Sequence, residues 1–342
     1  MKATFWLLEA PDALITQSER NPDGYGLGTF YPDGTPELGK RPVAAHGDAL
    51  FAAQAREEAS ATYLAHVRFA STGGLTSENT HPFEQDGRIF AHNGVVQGLD
   101  RLEAELGEAM SPVRGDTDSE RLFALVTREI ERHGGNVGAG IAAAVGWVSS
   151  ELPLYSINFV LTTATDVWAL RYPEGNELHV LDRDADGQRL DAVGARGTVR
   201  VRSDDCAERP VVVVASEPMD ADPRWRAIEP GELLHVDGDL NVSSERVMTG
   251  RRRTSSPSRT WAPARRRRRT RGRQARRRRG ALARRAGTLR AGDGPLTVRE
   301  TPLTLGAACP RLSSCRCHGG RAVTPRREPR RSPCVVVPLS SP

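Results

Sequence analysis

The chain has 342 residues, with 48 Lys and Arg against 43 Asp and Glu and a formal net charge of +5. That balance hides two unlike parts: residues 1–250 hold 22 basic and 40 acidic residues, net −18, while residues 251–342 hold 26 Arg and three acids, net +23. No apolar run approaches the roughly 18 residues that cross a bilayer, the apolar start Phe5-Trp6-Leu7-Leu8 meets Glu9, Pro11 and Asp12 too soon for a signal peptide, and five cysteines, none before Cys206, make no disulfide framework; the expectation is a cytoplasmic protein without membrane contact.

In chain order, Ala49–Ser60 is rich in helix formers and predicts a helix. Thr62–Phe69 predicts a strand, followed by a loop from Thr72 to Pro82 where Gly, Ser, Asn and Pro break regular structure. Arg88–His92 predicts a short strand that stops in a turn at Asn93-Gly94, two residues that tolerate positive φ. Thr117-x-x-Glu120 fits a capping box, and Leu122, Leu125, Val126 and Ile130 give its helix an apolar stripe to about His133. A second helix, Val137–Val148, is rich enough in Ala and Gly for close packing on a neighbour. The pattern then turns extended, with β-branched runs at Tyr155–Thr163, Val167–Tyr172, Glu177–Asp182, Val211–Ser216 and Leu233–Val236. Strands and helices in this order suit an α+β layered domain.

The sequence changes character near residue 250. Residues 249–342 form an Arg-rich tail with runs at 251–253, 265–269 and 276–279, no Lys and no apolar periodicity. Such a composition buries too little apolar surface to offset ordering entropy, so disorder is expected. Its Arg, Ala, Gly, Pro and Ser bias reads either as GC-rich DNA translated out of frame or as a basic tail that binds nucleic-acid phosphates. Cys315-x-Cys317-His318 alone is too small a cluster for a zinc site.

Four segments carry candidate chemistry: Asn21–Gly28 (NPDGYGLG); His66–Gly73 (HVRFASTG); Asn79–Phe83 (NTHPF) with Phe90–Gly94 (FAHNG); and Gly115–Glu120 (GDTDSE). Arg68, at the end of a strand, can grip a carboxylate with its planar fork. The Asn93 side-chain amide and the Gly94 backbone N–H can both point at one developing oxyanion. Asp118, in the first turn of a helix, can accept from an ammonium. Taken singly, each has a plainer reading: Arg68 as a surface ion-pair residue, Asn93-Gly94 as a hairpin turn, Asp118 as a helix-dipole residue. His66, His81 and His92 lie on different elements without a carboxylate at ligand spacing, so they read as structural and no metal is expected.

In this order and spacing the segments resemble the class II glutamine amidotransferases, the N-terminal-nucleophile hydrolase family, in its small stand-alone form. The resemblance covers Thr4 to Val242, including Ala215-Ser216-Glu217-Pro218 and Ile228–Glu232. It implies a four-layer αββα sandwich over residues 1–248. It also implies substrate binding by Arg68, Phe69, Ser71 and Asp118, an oxyanion hole at Asn93 and Gly94, and no cofactor. The implied substrate is glutamine or another γ-glutamyl amide, and the implied ammonia acceptor is a separate synthetase chain.

The departure from the family lies at the start. The resemblance implies a cysteine exposed as the first residue, whose amino group relays the proton and whose thiolate attacks the amide. Here Met1 is followed by Lys2, and no cysteine precedes Cys206. The short first strand that would bear the nucleophile is missing, so the domain is read as truncated at its N-terminus, with a start placed too far downstream. The alternative is a glutamine-binding pseudoenzyme.

Overall fold

The computed structural model describes residues 2–70, 72–184, 190–193, 200–203, 210–249 and 334–340. In chain order these begin with a helical turn at Phe5–Glu9, the short helix α1 (Leu14–Gln17), strands β1 (Gly24–Phe30) and β2 (Pro36–Arg41), and helix α2 (Ala49–Glu57). Strands β3 (Thr62–Arg68), β4 (Phe83–Gln85) and β5 (Arg88–Val96) follow, then helices α3 (Leu99–Leu106), α4 (Asp118–Arg132) and α5 (Val137–Glu151). The later strands are β6 (Leu154–Thr162), β7 (Val167–Leu170), β8 (His179–Arg183), β9 (Leu190–Val193), β10 (Arg200–Ser203), β11 (Val211–Ala215), β12 (Arg226–Ala227), β13 (Glu232–Val236), β14 (Val242–Arg246) and β15 (Cys334–Ser340).

One sheet has the order β12-β8-β11-β15-β3-β1-β2 and the other β14-β13-β7-β6-β5-β4; β9 and β10 pair separately. Side-chain alternation along the strands sorts the apolar residues into three cores. On the outer face of the first sheet, Tyr63, Ala65, Val67, Val211 and Val213 pack under Phe5, Trp6, Leu14 and Phe51 of the N-terminal helical segments. Between the sheets, Leu64, Val180, Val212 and Val214 meet Ile89, Ala91, Val160 and Leu234. On the outer face of the second sheet, Phe90, Phe159 and Leu161 pack under Leu102, Phe123, Leu125 and Ile141 of α3, α4 and α5. Helix, sheet, sheet, helix is the four-layer αββα order that the resemblance implied.

The regular elements follow their sequence signals closely. Thr117 caps α4, its hydroxyl accepting from the Glu120 N–H at 3.3 Å, but the capping box is only half made. The Glu120 carboxylate turns instead to the N–H groups of Arg114 and Gly115, at 2.9 and 2.7 Å. Asn136 caps α5 by accepting from Ala139 N–H at 3.0 Å. Close packing of α5 on α4 is as expected: a Cβ on Gly140 would stand 2.6 Å from the Ile130 backbone.

Two expectations are corrected. Strand β5 does not stop at His92; it runs through Asn93 and Gly94 to Val96, with Asn93 opposite Asn158 and Gly94 opposite Ile157 of β6. Gly94 has no positive φ. Glycine is required there for a different reason: a Cβ would lie 1.8 Å from the Ser156 carbonyl oxygen. The second concerns the tail. Residues 250–333 lie outside the described residues, but Cys334–Ser340, expected to be disordered with the rest, forms β15 inside the first sheet. Its β-branched run Val335-Val336-Val337 has the composition of a strand, and Leu339 is buried in the inter-sheet core.

Candidate active site

The candidate residues gather where β3 ends, beside the start of α4 and the far half of β5. Arg68 is the last residue of β3 and is 3% exposed. It shares the inter-sheet face with Leu64 and His66, since successive strand residues point to opposite faces. Its guanidinium donates from Nη2 to the Thr72 carbonyl at 2.7 Å and from Nη1 to the Gly74 carbonyl at 3.0 Å. Two of its five N–H groups therefore order the loop that follows β3. Burial draws its pKa down, while Asp23 and Asp118 oppose that shift.

Asp118 opens α4 and is 2% exposed. Its Oδ2 accepts from the Val96 N–H at 2.7 Å and its Oδ1 from the Thr72 hydroxyl at 3.3 Å. Thr72 thus bridges the two candidate substrate ligands, with its carbonyl on Arg68 and its hydroxyl on Asp118. Burying an acid and a base at one end of the inter-sheet layer is costly unless each is satisfied; here Arg68 has two backbone carbonyls, and Asp118 a backbone N–H and a hydroxyl, with N–H groups and lone pairs to spare.

Asn93 lies on the inter-sheet face of β5, in register with Ile89 and Ala91, and is 3% exposed. Its Nδ2 donates to the Ser216 hydroxyl at 3.2 Å, across the gap to the residue after β11. The candidate oxyanion donor is therefore held from the opposite sheet. Gly94 follows it on a stretch of β5 that β4, pairing only along Arg88–Phe90, leaves as an edge. Phe69 follows Arg68 directly and is half-buried. Ser71 lies outside the described residues.

Several residues that the motifs contained, but to which no role was assigned, complete the support. Asp23 accepts from Ala70 N–H at 3.0 Å and donates its own N–H to the Arg68 carbonyl at 2.9 Å, fixing the end of β3. Asn79 donates to the Gly74 carbonyl at 3.3 Å and to Asp116 at 3.4 Å, and accepts from Asp116 N–H at 2.7 Å. It joins the loop under Arg68 to the loop that starts α4. Its place in Asn79-Thr80-His81-Pro82 was the available signal. Gly26 lets β1 pass under that segment, since a Cβ there would meet the His81 carbonyl at 2.1 Å.

The three histidines are all buried. His66 and His81 stack with ring centroids 4.3 Å apart, and none of their four ring nitrogens has a hydrogen-bond partner. Burial is the main cause that pushes the His66 pKa down to about 3 and that of His81 well below its ordinary value; Arg68 adds to both shifts. Both rings are neutral at pH 7. His92 faces the other way, with Nδ1 at 2.9 Å from the Ser119 hydroxyl and Nε2 at 3.3 Å from the Ser156 carbonyl. Among the described residues no three His, Cys, Asp or Glu side chains are grouped to hold a metal ion, and no helix is long and apolar enough to cross a membrane.

A family model described as class II glutamine amidotransferases matches residues 13–259. An uncharacterized protein of Methanocaldococcus jannaschii is 28% identical over 245 residues, 68% of this chain and 66% of the relative. The gamma-glutamyl-hercynylcysteine sulfoxide hydrolase of Mycolicibacterium smegmatis is 28% identical over 240 residues, 67% of this chain and 88% of the relative. A class II glutamine aminotransferase domain protein from Silicibacter pomeroyi superposes with a TM-score of 0.46 at 20% identity, over 65% of this chain and 90% of that one.

Proposed function

Because this chain belongs to the class II glutamine amidotransferases, we propose that residues 1–248 form a glutaminase domain that binds L-glutamine to hydrolyse its side-chain amide to glutamate and ammonia. The observation that carries this reading is the Thr72 bridge, which sets a buried cation and a buried anion side by side. A free α-amino acid presents the complementary pair. The Arg68 guanidinium takes the α-carboxylate with its remaining N–H groups, and Asp118 takes the α-ammonium with its remaining lone pairs. Phe69, next to Arg68 in the chain, borders the same end; Ser71, outside the described residues, is proposed as a substrate ligand from the resemblance alone. The Asn93 amide, turned from Ser216, and the Gly94 N–H then receive the oxyanion formed when the amide carbonyl is attacked.

Attack requires a nucleophile, and the described residues place no thiol at this end. Cys334, the described cysteine, begins β15 opposite Val211, whereas Ser340 at the other end of the strand pairs with Val67 next to Arg68. Six residues of strand put Cys334 about 20 Å from the site. The chain as given is therefore proposed to bind glutamine without hydrolysing it. Calorimetric titration with L-glutamine tests the site directly: binding is expected, and Arg68→Ala should weaken it at least tenfold. An unchanged affinity in that variant would remove Arg68 from the site.

A second reading keeps the same residues and changes the substrate. The M. smegmatis relative is named for hydrolysis of a γ-glutamyl compound and is matched over 88% of its length, which favours a γ-glutamyl amide other than free glutamine. Competition between L-glutamine and a panel of γ-glutamyl amides separates the two. If glutamine is the substrate, the ammonia goes to a separate synthetase chain. Phosphate binding through the Arg-rich tail is a further, independent possibility of the sequence; it would show as nucleic-acid affinity falling steeply with salt.

A further inference from the structure

We propose, resting on the glutamine reading above, that Asn79 is a positioning residue that sets specificity: it ties the carboxylate end of the site to the ammonium end, so that a ligand carrying both α-charges is selected over one carrying either alone. Asn79 is 1% exposed and lies in the loop between β3 and β4. It bonds to neither Arg68 nor Asp118 itself. Its Nδ2 donates to the Gly74 carbonyl at 3.3 Å, the same oxygen that takes Arg68 Nη1 at 3.0 Å. Nδ2 also donates to Asp116 Oδ2 at 3.4 Å, and Oδ1 accepts from the Asp116 N–H at 2.7 Å. Asp116 stands two residues before Asp118, and Thr117 between them caps α4. A single side chain therefore reaches the carbonyl that orients Arg68 and the turn that places Asp118.

Three features make this tie firm. Only one orientation of the amide serves all its contacts, because the Gly74 carbonyl and the Asp116 carboxylate need a donor while the Asp116 N–H needs an acceptor. Both loops close on the amide through glycine: a Cβ on Gly73 would stand 2.9 Å from Nδ2, and one on Gly115 2.3 Å from Oδ1. The bonds of Asn79 also involve no ligand-binding atom, so they persist when the site fills. The other link between the ends is weaker there, since the Thr72 hydroxyl reaches Asp118 at 3.3 Å on the carboxylate that the α-ammonium also uses. A ligand with two charges gains from the fixed spacing, because binding one charge finds the partner of the other already in place. A ligand with one charge gains nothing from it.

Titration of the full chain, followed by NMR, compares three ligands: L-glutamine, the monoamide of glutaric acid, which lacks the α-ammonium, and the amide of γ-aminobutyric acid, which lacks the α-carboxylate. In Asn79→Ala the affinity for L-glutamine should fall about tenfold, an ordinary coupling between two sites, while each one-charge ligand stays within about twofold. Asn79→Asp, equal in shape but without the donor, should behave alike. Equal loss for all three ligands would leave Asn79 a structural role only, and undiminished glutamine affinity would remove the tie; either result overturns the proposal. Hydrogen exchange without ligand reads the same tie: in both variants the segments 72–76 and 114–117 should exchange faster together, and a change confined to one of them overturns it as well. No glutamine binding by the wild-type chain would overturn the glutamine reading and the selectivity built on it; the exchange result does not depend on that reading and shows which of the two has failed.

Discussion

Replacing Gly94 distinguishes close strand packing from a turn. A methyl group at this position would stand 1.8 Å from the Ser156 oxygen, 2.4 Å from its carbonyl carbon and 2.7 Å from His92 Nε2. Two of these atoms are backbone in β6, the central partner of β5, and cannot rotate away. Gly94→Ala must therefore push the strands apart, an overpacking cost at the upper end of the usual range, about 3 kcal/mol. Gly94→Asn adds more atoms at the same point and should cost more still. A positive-φ turn would give the reverse order: alanine would cost about 1 kcal/mol and asparagine, which tolerates that conformation, less. Urea unfolding of both variants gives the comparison, provided the m-value is unchanged. Asparagine tolerated better than alanine would refute the strand geometry. Because Asn93 is the neighbouring residue, the displaced strand should also weaken any ligand held at its amide.

Other consequences follow from the same contacts. Arg68→Lys keeps the charge but loses the planar fork that reaches Thr72 and Gly74; glutamine affinity should fall by about tenfold, and affinity equal to wild type would remove the bidentate role. Thr117→Ala deletes the α4 cap and should cost about 1 kcal/mol in thermal or urea unfolding; no change would mean that Glu120 and Arg114 alone hold the helix start. The stacked histidines fix an acid limb. The folded pKa of His66 is about 3, below the ordinary 6.5, so between those values the unfolded chain binds more protons than the folded one. Stability should be full above pH 6.5 and fall as pH drops towards 3, by about 1.4 kcal/mol per pH unit for each such imidazole. His81→Gln should make that slope shallower by one proton, and a slope identical to wild type would show that His81 is not held neutral in the fold.

Much of the fold was legible because local signals agreed with tertiary needs. Leu122, Leu125, Val126 and Ile130 marked the buried face of α4, and the β-branched runs from Tyr155 to Val236 marked strands of both sheets. Asn93-Gly94 misled because the pair has two physical uses. It serves a turn through positive φ or a close strand approach through the missing Cβ, and only the position of Ser156 decides between them. The His66–His81 stack was not visible either, since it depends on the loop through Pro82 folding back over Gly26. Cys334–Ser340 was hidden by its surroundings: a short valine run after a long arginine-rich stretch looks like part of the tail, and its strand character comes from the slot that β3 and β11 leave between them. Arg68 and Asp118 were readable as a pair from their motifs, but Thr72, which connects them, and Ser216, which holds Asn93, acquire their roles only from geometry.

The central claim is a proposed glutamine-binding site built on Arg68 and Asp118, beside which the described residues place no thiol. L-Glutamine binding by calorimetry and ammonia release should be measured together on the chain as given. The account predicts binding, weakened at least tenfold in Arg68→Ala, and no ammonia. Ammonia from the chain as given, or undiminished binding without Arg68, would contradict it.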